Sequence, residues 1–197
     1  MYKQIKRVLD LIFIILFFPL IMMIIIIVSI LIKLSDYKSN VLYKQDRVGQ
    51  DGNIFTIYKF RTMIENDNIG KNALSTSIDD DRITSLGKFL RKHRLDEFPQ
   101  FFNVFIGNMS IIGPRPEQKK FVEKLSAQLT DYNKRLKVKP GITGLAQIKH
   151  GYTSGEIHDE KIKLSYDIEY VENISIYNDT KILITSIFVV LLGLGSR

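Results

Sequence analysis

The chain has 197 residues, enough for one domain with a buried core plus appendages. It contains no cysteine, which excludes disulfides, thiolate nucleophiles and thiolate-held zinc. A formal net charge of +7 implies an anionic partner: phospholipid headgroups, a phosphorylated substrate or nucleic acid.

In chain order, the first element is an almost purely apolar run over 11–32, preceded by Lys3, Lys6 and Arg7 and followed by Lys33 and Lys38. At about 1.5 Å per residue it can cross a hydrocarbon core of roughly 30 Å. It is too long for a signal peptide and has no small-residue cleavage site. A simple membrane-spanning anchor and a re-entrant helix both satisfy the length. Pro19 predicts a kink, since it removes a backbone hydrogen bond and clashes with the preceding turn. Cations at both ends favour placing both on the cytoplasmic side. A helix that bends at Phe18-Pro19 and returns meets both demands. Residues 1–36 are accordingly expected to form the membrane segment and 37–197 a cytoplasmic domain.

Residues 41–63 predict a β-hairpin, with strands over 41–43 and 54–58 and turn chemistry in Gly49-Gln50-Asp51-Gly52-Asn53. Period-two alternation puts Lys59 and Arg61 on one face, a candidate phosphate cradle, and Tyr58 and Phe60 on the other. Residues 64–81 are Asn/Asp-rich and read as a mobile loop. A basic helix follows, with Leu86, Phe89 and Leu90 expected inside and Lys88, Arg91 and Lys92 outside.

Asp96 and Glu97 stand just before Pro99, which suits the first turn of a new helix. In irregular backbone ahead of a helix both carboxylates can turn into one pocket; the bland alternative is that Asp96 caps the helix. In Gly113-Pro114-Arg115-Pro116 an arginine lies between two prolines, so a stiff backbone presents a guanidinium suited to phosphate. Phe121, Val122, Leu125 and Leu129 mark a core helix over 117–129, and Pro140-Gly141 suggests a type II turn. Residues 159–172 read as an amphipathic helix, and 182–194 as a short apolar stretch that is buried or interfacial. His93, His150 and His158 lack zinc-hydrolase spacing, whereas an oxygen-ligated Mg²⁺ stays open.

In this order, several blocks resemble the bacterial sugar transferases, specifically the small monotopic phosphoglycosyl transferases. The carriers are the proline-containing apolar segment, Arg47-Val48-Gly49, Tyr58-Lys59-Phe60-Arg61-Thr62-Met63, Asp81-Arg82-Ile83-Thr84, Leu95-Asp96-Glu97-Phe98-Pro99-Gln100, Asn103-Val104 with Gly107-Asn108-Met109-Ser110, Gly113-Pro114-Arg115-Pro116 and Pro140-Gly141-Ile142-Thr143-Gly144-Leu145-Ala146-Gln147. The resemblance implies a mixed α/β, mostly helical fold: a kinked re-entrant membrane helix plus a compact cytoplasmic catalytic domain with a small β-hairpin. It implies transfer of a sugar-1-phosphate from a nucleotide sugar, UDP-linked in most members, to polyprenyl phosphate at the cytoplasmic face of the bacterial inner membrane. Asp96 would be the covalent nucleophile and Glu97 the second dyad member, both near Mg²⁺. Lys59, Arg61, Arg82, Arg91, Arg115 and Gln147 would hold substrate, and Pro19 would set the membrane kink. Arg91, Arg115, Lys59 and Arg61 are expected to keep Asp96 ionised.

The chain departs from that pattern in two places. Lys149-His150-Gly151-Tyr152-Thr153-Ser154-Gly155 stands where many members carry Gly-Arg-Asn, and Phe18 replaces a common serine. Implied partners are the nucleotide-sugar donor, the polyprenyl phosphate acceptor and membrane lipids, with a homodimer or downstream glycosyltransferases as further candidates. A competing reading is a non-catalytic, membrane-tethered basic module that binds anionic lipid or a glycosyltransferase. Nucleic acid is not expected as a partner, because the basic residues are interspersed with acids and carry no binding motif.

Overall fold

The computed structural model describes residues 2–64, 81–150 and 156–192 of the chain. The first helix, α1 (Tyr2–Ser35), continues through Pro19 without interruption, so the proline costs it a hydrogen bond but not its continuity. Asp10, Ile14, Ile21, Val28 and Ile32 are its buried positions, spaced by four and seven residues along one stripe. Ile12, Ile15, Leu16, Phe18, Met23, Ile26 and Ile30 on its other sides are exposed. By length and composition α1 can cross a membrane.

Strands β1 (Leu42–Val48) and β2 (Ile54–Phe60) pair antiparallel from Leu42 opposite Phe60 to Val48 opposite Ile54. The turn between them is a 3-10 turn, Gln50–Gly52, in which Asp51 and Gly52 take positive φ. Alternation along β2 places Lys59 on the face that buries Phe55 and Ile57, so its amine is carried inward. Phe60, on the opposite face, is buried against Val28, Ile32 and Leu90. The loop expected over 64–81 lies, from 65 to 80, outside the described residues.

Helix α2 (Ser85–Lys92) begins at Thr84, whose hydroxyl accepts from Gly87 N at 2.9 Å. Leu90 is buried, but Phe89 is 53% exposed and lies beside the His93 ring instead of in the core as expected. An eight-residue helix buries a narrow stripe, and position 89 falls outside it. Helix α3 (Gln100–Ile106) leads through Gly107 to β3 (Ser110–Ile112), which pairs in parallel with β4 (Gly141–Thr143). The Pro140-Gly141 segment is thus a strand entry and not the start of a type II turn. The two strands meet closely: a Cβ on Gly141 would fall 2.1 Å from Gly113 N.

The remaining helices are α4 (Lys119–Gln128), α5 (Leu145–Lys149), α6 (Ile157–Glu172) and α7 (Ile176–Leu191). Val122, Leu125, Leu129 and Leu164 build a core with Val48 and Tyr132, as the apolar spacing of 117–129 anticipates. Ile14, Phe55, Ile57, Val104, Met109, Ile111, Tyr170 and Ile182 form the central cluster. The composition is mostly helical with a small hairpin, in agreement with the sequence reading.

Candidate active site

The acidic pair sits between α2 and α3, where the chain makes two sharp changes of direction. Arg94 takes a left-handed conformation (φ 54°, ψ 18°), uncommon for a residue with a side chain. A 3-10 turn over Leu95–Glu97 follows, and Pro99 starts α3. Asp96 makes no capping bond to α3, and the capping alternative falls away. Both carboxylates are buried, with 7% of Asp96 and 2% of Glu97 exposed.

The two acids have different surroundings. Arg115 forks onto Glu97, with Nη2 2.6 Å from Oε1 and Nη1 3.2 Å from Oε2. Lys59 Nζ donates to Oε1 at 2.9 Å, and Arg94 Nη1 stands 3.9 Å from Oε2. Burial alone would push the Glu97 pKa up, but Arg115, Lys59 and Arg94 outweigh it and hold the group well below its usual range. Among the described residues no hydrogen bond reaches the Asp96 carboxylate. Burial and then the Glu97 charge push its pKa up to about 6, against the pull of Lys59, Arg115 and Arg91. Of the cations expected to keep Asp96 ionised, Lys59, Arg115 and Arg91 do act in that direction, but Lys59 and Arg115 bond to Glu97, and burial with the Glu97 charge outweighs them. Asp96 is nonetheless mostly ionised at pH 7.

The scaffold explains which cations arrive. Asn103 of α3 accepts from Tyr58 N (3.1 Å) and donates to Thr56 O (2.7 Å), so the helix after the dyad clips the strand bearing Lys59. Arg91 Nε donates to the Thr62 hydroxyl at 2.9 Å. α2 lies so close here that a Cβ on Gly87 would be 2.1 Å from Thr62 O. The structure separates Arg61 from Lys59: β2 ends at Phe60, alternation stops, and Arg61 pairs with Asp36 beyond α1 at 3.2 Å. Arg82 borders the Met63–Ile83 bridge, its carbonyl accepting from Ile64 N. Gln147 donates to Ile142 O at 3.0 Å, tying α5 to β4, and its Oε1 is buried without a partner among the described residues. Lys149 and His150 end α5, and residues 151–155, the departure from the family pattern, lie outside the described residues.

No group of three or more His, Asp or Glu suited to a metal ion occurs among the described residues. Both Glu97 oxygens are engaged by cations, which leaves Asp96 as the open carboxylate. A Mg²⁺ carried largely by substrate phosphates and water fits that donor set, since such ions take one or two protein carboxylates.

Sequence reasoning missed Arg94, because a left-handed backbone at an arginine has no sequence signature. It also missed Arg135, which nothing in the basic stretch from Lys134 to Lys137 sets apart. Asn103 was visible only as part of a motif, without its strand-clipping role.

Residues 1–193 match the family model described as bacterial sugar transferase. The chain is 40% identical over 196 residues, all of its length, to the UDP-N-acetylgalactosamine-undecaprenyl-phosphate N-acetylgalactosaminephosphotransferase of Aeromonas hydrophila, 46% of which is covered. It is 40% identical over 185 residues to the UDP-glucose:undecaprenyl-phosphate glucose-1-phosphate transferase of Klebsiella pneumoniae, covering 93% of this chain and 39% of that protein. A Caulobacter vibrioides protein of the latter name is 34% identical over 184 residues, covering 92% of this chain and 68% of the relative. The chain thus spans less than half the length of the first two.

Proposed function

The chain belongs to the bacterial sugar transferase family, and on that premise we propose that it moves a sugar-1-phosphate from a UDP-sugar to undecaprenyl phosphate. Polyprenyl-diphospho-sugar and UMP would be the products. One observation carries the reading: Asp96 is buried and, among the described residues, receives no hydrogen bond, beside a Glu97 whose oxygens are taken by Arg115 and Lys59. A non-catalytic tethered module has no use for a carboxylate kept ionised at such a desolvation cost.

In the proposed chemistry, an Asp96 oxygen attacks the sugar-bearing phosphorus of the donor. The phosphorus–oxygen bond of the diphosphate bridge breaks, UMP departs with that electron pair, and an aspartyl-phosphosugar remains. An oxygen of the lipid phosphate then attacks the same phosphorus and releases Asp96 as carboxylate. Neither step needs a proton from the enzyme. Lys59, Arg115, Arg91 and Arg94 are four cations acting on two carboxylates, which leaves positive charge for the incoming diphosphate. Glu97 holds Arg115 and Lys59 in place. A bound Mg²⁺, held by Asp96 and the diphosphate oxygens, would neutralise charge on the departing phosphate.

The same reading places the protein in the membrane without crossing it. At its start α1 is tied to the domain by Lys6 and Tyr2 on Asp179 (2.6 and 2.7 Å) and by Asp10 on Ser110 (2.8 Å). At its end the segment after it is tied by Asp36 on Arg61 (3.2 Å). A helix tethered to one domain at both ends keeps both ends on that domain's side of a bilayer. Exposed Phe102, Phe105 and Ile106 of α3 and Ile184, Ile187, Phe188 and Leu191 of α7 supply further lipid-facing apolar surface. The cations flanking α1 favour the cytoplasmic face.

The test is nucleoside monophosphate release by the protein in nanodiscs, with Mg²⁺, undecaprenyl phosphate and UDP-linked glucose, galactose, N-acetylglucosamine and N-acetylgalactosamine. Lipid-dependent UMP release from one donor supports the reading and identifies the sugar. No release from any of them would count for the tethered module.

A further inference from the structure

The guanidinium of Arg115 is held by Glu97, but its backbone is held from behind by a separate set of groups. Four successive carbonyls are each bonded from elsewhere in the chain. Pro114 O accepts from Gly141 N (2.9 Å), Arg115 O from Arg135 Nη2 (2.8 Å), Pro116 O from Arg47 Nη1 (3.3 Å) and Glu117 O from Val48 N (2.9 Å). The bond to Arg115 itself is the one made by a buried charge. Arg135 is 3% exposed, and its Nε donates to Asp167 Oδ2 of α6 at 2.7 Å.

A buried ion pair is often no more stabilising than apolar side chains of the same volume. Stability alone therefore gives no reason for a charged pair at this place. What an apolar pair could not supply is the N–H directed at the Arg115 carbonyl, in a segment whose two prolines offer no N–H of their own. Arginine suits the task because its planar fork lets one edge meet Asp167 while another nitrogen reaches the carbonyl.

We propose that Arg135, oriented by Asp167, is a positioning residue that fixes Arg115 over the dyad and so governs how tightly the donor's diphosphate is gripped. The inference rests on the reading of Arg115 as a phosphate-binding side chain. Arg135 touches no reacting atom in this account. It acts through the Arg115 backbone, where a displacement of an ångström is enough to weaken a phosphate contact by tenfold or more.

The experiment is a double-mutant cycle on the intact chain in nanodiscs, reading KM and kcat for the nucleotide-sugar donor with Arg135→Lys, Arg115→Ala and the double variant. Lysine keeps a positive charge opposite Asp167 but cannot serve both partners. Arg135→Lys is expected to raise the donor KM about tenfold with a smaller change in kcat. In the Arg115→Ala background the same change should alter KM by less than about twofold. Should Arg135→Lys lower the thermal midpoint, Asp167→Glu tests the same link, and its KM rise should likewise vanish without Arg115. Equal losses in both backgrounds, or an unchanged KM in a folded Arg135→Lys protein, would overturn the inference. Wild-type protein that releases no nucleoside monophosphate from any donor would instead bring down the functional reading, and this inference with it.

Discussion

Asp96 and Glu97 are adjacent acids with opposite electrostatic fates, and two predictions follow from that contrast. Asp96 titrates near 3.8 when unfolded and near 6 when folded, so folding takes up a proton between those values. The penalty for ionising it grows as pH rises from about 4 to 6 and is fully present at pH 7. The gap converts to about 3 kcal/mol at most. Asp96→Asn should therefore abolish transfer yet raise the thermal midpoint at pH 7, with the gain fading below pH 4; a lower midpoint at pH 7 would contradict the assignment. The acid limb of kcat/KM for the donor should fall near pH 6 in the wild type, because attack needs the carboxylate. Glu97→Gln removes the neighbouring negative charge, so that limb should move to lower pH even as the rate drops at least tenfold. A limb that stays put would mean Glu97 does not set the Asp96 pKa. The acids themselves were legible in the sequence, from their place ahead of Pro99. Their division of labour was not, since it depends on where Lys59 and Arg115 arrive in space.

At the scale of elements, the hairpin and the amphipathic helices could be read from period and turn residues. The β3–β4 pair could not. Three-residue parallel strands have no periodicity to detect, and what specifies this one is the close approach of Gly113 and Gly141, far apart in sequence. The Lys59–Arg61 cradle failed for a related reason: alternation holds only while the strand lasts, and β2 stops one residue before Arg61. The contact of α2 with the chain after β2 yields a further prediction. A Cβ on Gly87 would strike Thr62 O, so Gly87→Ala must push α2 outward and draw Arg91 from the Thr62 hydroxyl. Overpacking of this kind costs about 1–3 kcal/mol. A lowered urea midpoint together with reduced transfer is expected, and wild-type behaviour in both would show that the helix has room to move.

For the whole molecule, the central relation is between an apolar helix and a domain that grips it at both ends. A chain with no native cysteine lends itself to a direct topology test. Single cysteines at Gln4, in the first turn of α1, and at Asn40, beyond its end, both exposed positions, should react with an impermeant maleimide from the same side of inverted membrane vesicles. Labelling from opposite sides would make α1 a simple span. The apolar run and its flanking cations were plain in the sequence, whereas the anchors Asp10 and Asp179, a long way apart in the chain, were not. Membrane residence also bears on the proposed chemistry, in which a water-soluble donor and a lipid acceptor would use one small site. The proposed covalent intermediate would let them do so in turn. The most direct measurement is intact-protein mass spectrometry after mixing the chain with its preferred UDP-sugar and Mg²⁺ in the absence of lipid phosphate. The account predicts one added sugar-phosphate per chain, mapped to Asp96, matched by one equivalent of UMP and discharged on adding undecaprenyl phosphate. UMP appearing only when the lipid is present, with no adduct on Asp96, would contradict it.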